Sequence, residues 1–419
     1  MVGAVLTGIG VFLAETVVGP LLDRSMTPQE ERVMGLVHRN LVESYVEPRD
    51  PQWLLHRAVE GMLDSLDDPY TYFIDPKAIP ALDEESTGNL IGIGILLDGN
   101  GRVRYPVPGS PAEAAGIRPG DRFLAIDGED ALGLTMEELT KRIKGPRGTS
   151  LHLVVETAAG EPFETDIERS PVPKGTVGKV RMLDAEQGIG TLAIRSFARS
   201  TPDELDAALD HLDAQGLRGL VIDLRFNTGG VLDAAVDVAA RFLEGEVVCR
   251  LQERGGPGSV RRADAALSRF PELPLVVLVN ALSASGSEVL AGALRDHGHA
   301  VLVGERSYGK GVYQQVHRYR TADFALKYTA GYYLTPSGRI LEGHIDPDRA
   351  GGLEPDLGVA VGLPEARAVR DWLRYEDPPL EYRERVFELF PRVAEVQPPE
   401  DAALATGERH LRQVLGSAS

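Results

Sequence analysis

Leu275-Val-Val-Leu-Val-Asn-Ala-Leu-Ser-Ala-Ser-Gly-Ser287 decides the reading of the fold. Five consecutive apolar residues, three of them β-branched, describe a short strand covered on both faces. Small residues follow at once, and Ser283-Ala-Ser-Gly-Ser287 opens a helix through Leu294. The same order recurs upstream, where Leu220-Val-Ile-Asp-Leu224 leads through Arg225-Phe-Asn-Thr-Gly-Gly230 into a helix over Val231–Leu243. Ile189–Ile194 and Val301–Val303 read as further strands. Thr201-Pro-Asp-Glu204 reads as a capping box that opens a helix with Leu205, Leu209 and Leu212, closing at Gly216. Repeated strand–helix units of this kind predict an α/β domain with helices covering the sheet, here over residues 169–360.

Working outward, residues 25–88 predict two helices. Thr27-Pro28-Gln29-Glu30 is a capping box with proline at the first helical position, followed by Val33, Leu36, Val37 and Leu41 at helical spacing. Asp50-Pro51 opens the second, with an apolar face of Leu55, Val59, Met62, Leu63 and Leu66 and a stop at Asp67-Asp-Pro69. These faces predict core or dimer packing. Beyond residue 360 the chain is charged, punctuated by proline and helix-like around Leu380–Phe390, so 361–419 is read as a packing or oligomer segment.

Between these regions the period changes to two. Leu90–Leu97 reads as one strand, Arg102–Val107 and Phe123–Ile126 as others, the last ending in the turn Asp127-Gly128. Thr135-Met-Glu-Glu138 caps a helix to Lys144, and Leu151–Glu156 is another strand. With Gly109-Ser-Pro-Ala-Glu-Ala-Ala-Gly-Ile-Arg-Pro-Gly-Asp121, residues 89–168 resemble a PDZ domain. Such a unit receives peptide ends. Glycines 92 and 94 in Gly92-Ile93-Gly94-Ile95 would turn backbone N–H groups outward to hold a carboxylate, and the strand beyond offers an edge for an added peptide strand. Leu139 and Ile143, one turn apart, would line the pocket for an apolar terminal side chain.

The chain has 419 residues, with 44 Lys and Arg against 63 Asp and Glu, a net charge of −19. That excess argues against a general nucleic-acid role, because phosphate binding needs a basic surface. With hydrophobic residues at 43% and charged residues at 26%, the composition is that of an ordinary globular protein with a sizeable core. The single cysteine, Cys249, excludes an intrachain disulfide and reads as a small core residue in Glu246-Val-Val-Cys-Arg-Leu251. Residues 1–24 are ambiguous. Val2–Leu22 is close to the roughly 20 residues that span a bilayer. It contains Glu15 and lacks a basic residue in front, so it reads either as an anchor or export signal or as an apolar packing helix.

The chemistry concentrates on two turns. An isolated serine at a strand-to-helix turn is ordinarily a helix cap, and Ser283, Ser285 or Ser287 would each serve. The partner changes that reading. Gly304-Glu-Arg-Ser-Tyr-Gly-Lys-Gly-Val312 sets Lys310 between two glycines just after an apolar strand. A lysine held close to backbone and shielded from water loses its proton more readily, leaving an amine that can deprotonate a hydroxyl. The same stretch matches a phosphate-binding loop except at Gly311, where the magnesium-binding hydroxyl is missing, and Val312-Tyr-Gln-Gln-Val-His alternates as a strand where a helix would be needed. Phosphate binding is therefore not expected.

Asp223-Leu-Arg-Phe-Asn-Thr-Gly-Gly230, Val279-Asn-Ala-Leu-Ser-Ala-Ser-Gly-Ser-Glu288, Ala291-Gly-Ala-Leu-Arg-Asp296 and Gly304–Gln314 together resemble the carboxyl-terminal processing peptidases, or tail-specific proteases. Asp68-Pro-Tyr-Thr-Tyr-Phe73, the PDZ-like unit, Tyr332-Tyr-Leu-Thr-Pro-Ser-Gly-Arg339 and Glu354-Pro-Asp356 fit the same family, so the resemblance spans about residues 30–360. It implies an α/β, crotonase-like protease core with an inserted PDZ domain and helical terminal segments. Carried over by motif, Ser285 is the nucleophile, Lys310 the general base, and Gln314 the residue orienting the lysine amine. The backbone N–H groups of Gly230 and Gly286 form the oxyanion hole. Four features depart from the pattern: Gly286 where alanine is common, Leu282 where glycine is common, Phe226 and Thr228 in the strand-end loop, and an additional Asp348-Arg-Ala-Gly-Gly-Leu353. None removes a catalytic group.

Two other readings stand beside this one. Ser285 could pair with His297 or His299, although histidines at a helix end suit the dipole better. The chain could also be a non-catalytic PDZ-based scaffold, which the presence of both Ser285 and Lys310 argues against. No His-Glu-x-x-His or comparable cluster is present, so no metal is expected, and no cofactor is implied. The resemblance further implies protein or peptide substrates with free C-termini, an adaptor or activator protein, a homo-oligomer, and a cell-envelope, extracytoplasmic location with membrane association through residues 2–22.

Overall fold

The computed structural model describes residues 26–75, 89–173, 175–319, 324–345, 350–375, 377–379, 381–394 and 397–417. The apolar stretch 2–22 therefore lies outside the described residues, among which no helix is long and apolar enough to cross a membrane. The chain divides into two compact units, Met1–Ile79 with Tyr313–Gly331, and Pro80–Val312 with Tyr332–Ser419.

In the first unit, Thr27 and Glu30 form the predicted box around the helix Pro28–Ser44, the Glu30 N–H donating to Thr27 Oγ1 at 3.3 Å and the Thr27 N–H to Glu30 Oε2 at 2.6 Å. Asp50 caps the helix Pro51–Asp64 through the Trp53 N–H. The strand Tyr72–Ile74 then pairs antiparallel with Phe324–Leu334. Neither helix buries a residue, and Val33, Leu36, Val37 and Leu41 stay exposed, so core packing does not account for this apolar stripe.

The second unit begins with the PDZ region. The strand expected over 90–97 is broken in two, because Asn89–Gly92 pairs with Ser170–Pro173 while Ile95–Leu97 pairs with Val103–Pro106. Gly94 makes the break. Its φ is +78°, and a Cβ there would stand 2.3 Å from Ser110 Cβ, so no other residue fits without displacing Ser110. Arg122–Ile126, Ser150–Glu156 and Pro162–Glu168 form the main sheet with the short Glu129–Asp130. Thr135 and Glu138 form a capping box on the helix Met136–Ile143.

The rest of this unit is built on a six-stranded sheet in the order Val177–Asp184, Ile189–Ile194, Gly219–Asp223, Leu275–Val279, Ala300–Gly304, Leu357–Gly358. All but the first strand run parallel to their neighbours. Gly219–Asp223 and Leu275–Val279 are buried throughout, as their unbroken apolar composition predicts. The predicted box at Thr201 does not form. Ser200 takes the cap position of the helix Thr201–Asp213, and the Glu204 carboxylate instead accepts the N–H groups of Thr176 and Val177 at 2.6 and 2.9 Å, bracing the edge strand. Cys249 is buried in the strand Val247–Glu253, and burial pushes its thiol up to about 12.

The C-terminal segment packs within this unit. The helix Ala402–Ser417 lays Ala403, Leu411 and Leu415 on Ile189, Val221, Val276 and Leu278. Just before it, Asp401 and Asp223 hold the buried Arg225 guanidinium between them, both at 2.6 Å. Arg225→Met would leave two buried carboxylates without a cation and is expected to lower stability by about 3–5 kcal/mol, read from denaturant unfolding.

Candidate active site

Three adjacent parallel strands, Gly219–Asp223, Leu275–Val279 and Ala300–Gly304, end side by side. Their carboxyl ends release the loops that carry the predicted residues, the place where open α/β sheets collect their chemistry. Asn227 braces the first loop against the second. Its side-chain amide donates to the Ile194 carbonyl at 2.8 Å, its Oδ1 accepts the Gly229 N–H, and its own carbonyl accepts both the Ala284 N–H and Ser287 Oγ.

Ser285 stands at the start of the helix Gly286–Asp296 with φ +56° and ψ −115°, a backbone conformation that serine rarely adopts. Two neighbours hold it there. The Glu288 carboxylate accepts the Ser285 N–H at 2.9 Å, and a Cβ on Gly229 would stand 2.7 Å from Ser285 Cβ. Gly230 reaches φ +146° beside Phe197, whose N–H and carbonyl pair with Gly229 and Val231. Among the described residues the Gly230 and Gly286 N–H groups donate to no protein acceptor. A Cβ at Gly286 would meet Phe197 Cδ2 at 3.2 Å, so glycine relieves a tight contact behind Ser285.

Lys310, half-buried, is fixed through its backbone. Its N–H donates to Glu288 Oε2 at 2.9 Å, the Gly309 N–H to Glu288 Oε1 at 2.7 Å, and the Gly311 N–H to Glu342 Oε2 at 3.0 Å. Ser307 Oγ completes the set on Glu288 Oε1 at 2.5 Å. The Tyr308 N–H also reaches the Ser283 carbonyl at 2.9 Å. The serine loop and the lysine loop are thus joined through one carboxylate and one backbone bond. Glu288 and Glu342 are both fully enclosed, and burial holds the Glu288 carboxyl above the usual carboxylate range while its four donors pull the other way.

Neither glutamate was singled out by sequence reasoning. Glu288 had a visible signal, lying three residues after Ser285 where a cap residue belongs, but its contacts to Ser307, Gly309 and Lys310 span 19 to 22 residues. Gln314 lies on the strand Val312–Tyr319, in the other compact unit. His297 donates to or accepts from nothing near Ser285 that would activate it; its Nε2 meets the Val247 carbonyl at 2.8 Å. In the PDZ region only Gly94 of the two glycines is left-handed, while Gly92 is an ordinary strand residue opposite Ser170. Ile93, Leu139 and Ile143 are buried in the PDZ core, with Ile95 packed on its margin.

Comparison with known proteins gives this arrangement its context. Residues 188–358 match the model of peptidase family S41, residues 102–157 a PDZ domain, and residues 27–78 the N-terminal domain of the activating protease CtpB. Residues 188–358 form a peptidase family S41 domain. The chain is similar to the carboxy-terminal processing protease CtpA of Bacillus subtilis, at 32% identity over 309 residues, which is 73% of this chain and 65% of that one. A probable CtpA-like serine protease of Staphylococcus haemolyticus is 30% identical over 340 residues, 79% of this chain and 65% of the relative. The chain thus spans just under two thirds of the length of these relatives. Among solved structures, the photosystem II D1 C-terminal processing protease is 30% identical, covering 78% of this chain and 86% of that one, with a TM-score of 0.47.

Glu288→Gln keeps the shape of the side chain but turns an amide N–H₂ toward backbone donors. A displacement on the order of 1 Å between serine and lysine costs about 100-fold in rate, so kcat for peptide hydrolysis is expected to fall by about that factor with KM little changed. Steady-state kinetics beside a thermal unfolding curve would check it.

Proposed function

We propose that the protein is a serine endopeptidase that cleaves proteins at or near their C-terminal tails with a Ser285/Lys310 dyad. The reading rests on one observation above the rest: a serine in a strained conformation at a helix start shares its backbone anchor, Glu288, with a glycine-flanked lysine. In this mechanism the Lys310 amine takes the Ser285 hydroxyl proton as Oγ adds to the scissile carbonyl. The N–H groups of Gly230 and Gly286 receive the oxyanion, helped by the dipole of the helix Gly286–Asp296. Lys310 then returns the proton to the leaving amine, and water releases the acyl group along the same path. The α/β core is read as crotonase-like, spanning 169–360.

The PDZ unit, 89–168, is proposed to bind the substrate's free C-terminus and to gate the site. Ile95–Leu97 pairs only with Val103–Pro106 among the described residues, so its other edge can accept a strand. Because Leu139 and Ile143 are closed into the core, holding an apolar terminal side chain requires the helix Met136–Ile143 to yield. A route to the core exists. Leu96 and Tyr105 pack on Tyr375, Val386 and Phe390, and Tyr382 donates its hydroxyl hydrogen bond to Glu113. The same segment grips the protease sheet, where Lys179 lies 3.7 Å over the Trp372 ring and 2.9 Å from Asp377.

The uncovered stripe on Pro28–Ser44 is proposed as the contact for a second copy or an activating partner, and the cell envelope as the location. A monomer in light scattering, or a wholly cytosolic distribution on fractionation, would overturn these two points in turn.

Ser285→Ala and Lys310→Ala are each expected to reduce hydrolysis of an unfolded protein substrate by at least about 1,000-fold with folding intact. Undiminished cleavage by either variant overturns the dyad. For the PDZ, one peptide with a free and with an amidated C-terminus should be cleaved at different rates, the free acid faster, and Tyr382→Phe should narrow the difference. Equal rates for the two peptides would make the PDZ a packing module.

A further inference from the structure

Two large apolar side chains are left in water beside the proposed catalytic pair, and nothing in the folding of the core calls for them. Leu282, three residues before Ser285, is 47% exposed, and Tyr308, two residues before Lys310, is 40% exposed. The residues that follow Leu282 and those that flank Tyr308 behave otherwise, since Ser283, Ala284 and Gly286 are buried, as are Ser307 and Gly309. The hydrogen bond from the Tyr308 N–H to the Ser283 carbonyl, at 2.9 Å, draws the two residues together at the seam between the loops.

Both are also held still. The Leu282 N–H donates to Asn280 Oδ1 at 3.1 Å, and the same oxygen accepts the Phe226 N–H. Tyr308 stacks on the His344 ring with centroids 4.3 Å apart and planes 29° apart, while His344 Nε2 meets the Tyr308 carbonyl at 2.9 Å. His344 is fixed in turn by its own N–H to Glu342 Oε1 at 2.6 Å, the carboxylate that also anchors Gly311. An exposed aromatic ring supported from behind and set beside an exposed leucine loses little entropy on contact and gains by shedding water.

We propose that Leu282 and Tyr308 form an apolar platform that takes an apolar substrate side chain adjacent to the scissile bond. This makes them specificity-determining residues of the Ser285 site. The inference rests on the proposed role of Ser285. The platform offers no charged group and no unpaired polar side chain of its own beyond the tyrosine hydroxyl, so a carboxylate placed on it loses its hydration without compensation. Discrimination by apolar contact of this kind reaches about 10-fold or more per side chain.

The test uses matched peptides that differ only in having leucine or aspartate immediately before, or immediately after, the cleaved bond. The full-length enzyme is expected to favour leucine at one of these positions by at least 10-fold in kcat/KM. The double variant Leu282→Ser, Tyr308→Ala should bring the ratio below about 3-fold, chiefly through the KM of the leucine peptide, and Tyr308→Phe should restore most of it. Far-UV circular dichroism and the unfolding midpoint establish that each variant is folded. A wild-type enzyme indifferent to the substitution, or a double variant that keeps the wild-type ratio, overturns the proposal. Cleavage that survives Ser285→Ala overturns the assignment of the nucleophile instead.

Discussion

The carboxylate of Glu288 is the point on which the candidate site depends. It receives four donors, the N–H groups of Ser285, Gly309 and Lys310 and the hydroxyl of Ser307, in a position closed to water. Burying an ionised carboxylate is costly unless every lone pair is met, so the pocket tolerates the charge only while both loops stay in place. A charge-assisted hydrogen bond typically contributes about 1.5–3 kcal/mol, and losing one loop would forfeit several at once. The arrangement is therefore close to all-or-none. That property suits the proposed dyad, whose two groups come from loops 25 residues apart and whose geometry is set by neither loop alone.

Close packing of backbone on backbone does the remaining work. A Cβ on Gly311 would stand 2.0 Å from the Glu342 nitrogen, and one on Gly309 2.9 Å from the Gly352 nitrogen. Gly352 and Leu353 end the additional segment that sets this chain apart from the family pattern. Their placement is not peripheral, because the Leu353 N–H donates to Ser307 Oγ at 2.7 Å and the Leu353 carbonyl accepts the Ser307 N–H. Leu353 thus holds Ser307 by both its N–H and its carbonyl, the same Ser307 whose hydroxyl donates to Glu288. Glycine acts here as packing, since only residues without side chains let these chain segments meet at such distances.

How much of this was legible in the sequence follows from the range of the interactions involved. Strands such as Leu275–Val279 and Gly219–Asp223 announce themselves because burial on both faces demands unbroken apolar runs, and the boxes at Thr27 and Thr135 are local chemistry within four residues. The Thr201 box failed for the complementary reason. The Glu204 side chain found two backbone donors at Thr176 and Val177, 28 and 27 residues away, for one oxygen, while the other accepts the Ser200 hydroxyl. Leu90–Leu97 looked continuous because hydropathy does not report φ, and the break at Gly94 is set by Ser110, sixteen positions downstream. Ser285 and Lys310 were readable only as motifs with a family resemblance behind them. Glu342 was not readable and Glu288 only as a cap for Ser285, because a glutamate in a helix or loop is ordinarily a surface residue and only the fold shows what encloses it.

The strand Ile95–Leu97 shows how the proposed tail-reading function can be connected to the core without any dedicated linker. Alternate side chains of a strand face opposite ways. Ile95 and Leu97 pack on the PDZ core, while Leu96 joins Tyr105, Val386 and Phe390 in a separate cluster built from the C-terminal segment. The same segment is pinned to the protease sheet by Arg195, whose guanidinium donates to the carbonyls of Leu373 and Tyr375, and by Lys179 with Asp377. A peptide that adds to the free edge of Ile95–Leu97 therefore acts on a strand whose two faces belong to different cores. Binding can shift the balance between two arrangements only by the difference in its affinity for them. Under the proposed gating that difference falls on the contact of Leu96 and Tyr105 with the C-terminal cluster, because that is where movement of the PDZ strand would be felt by residues that also pack on the six-stranded sheet.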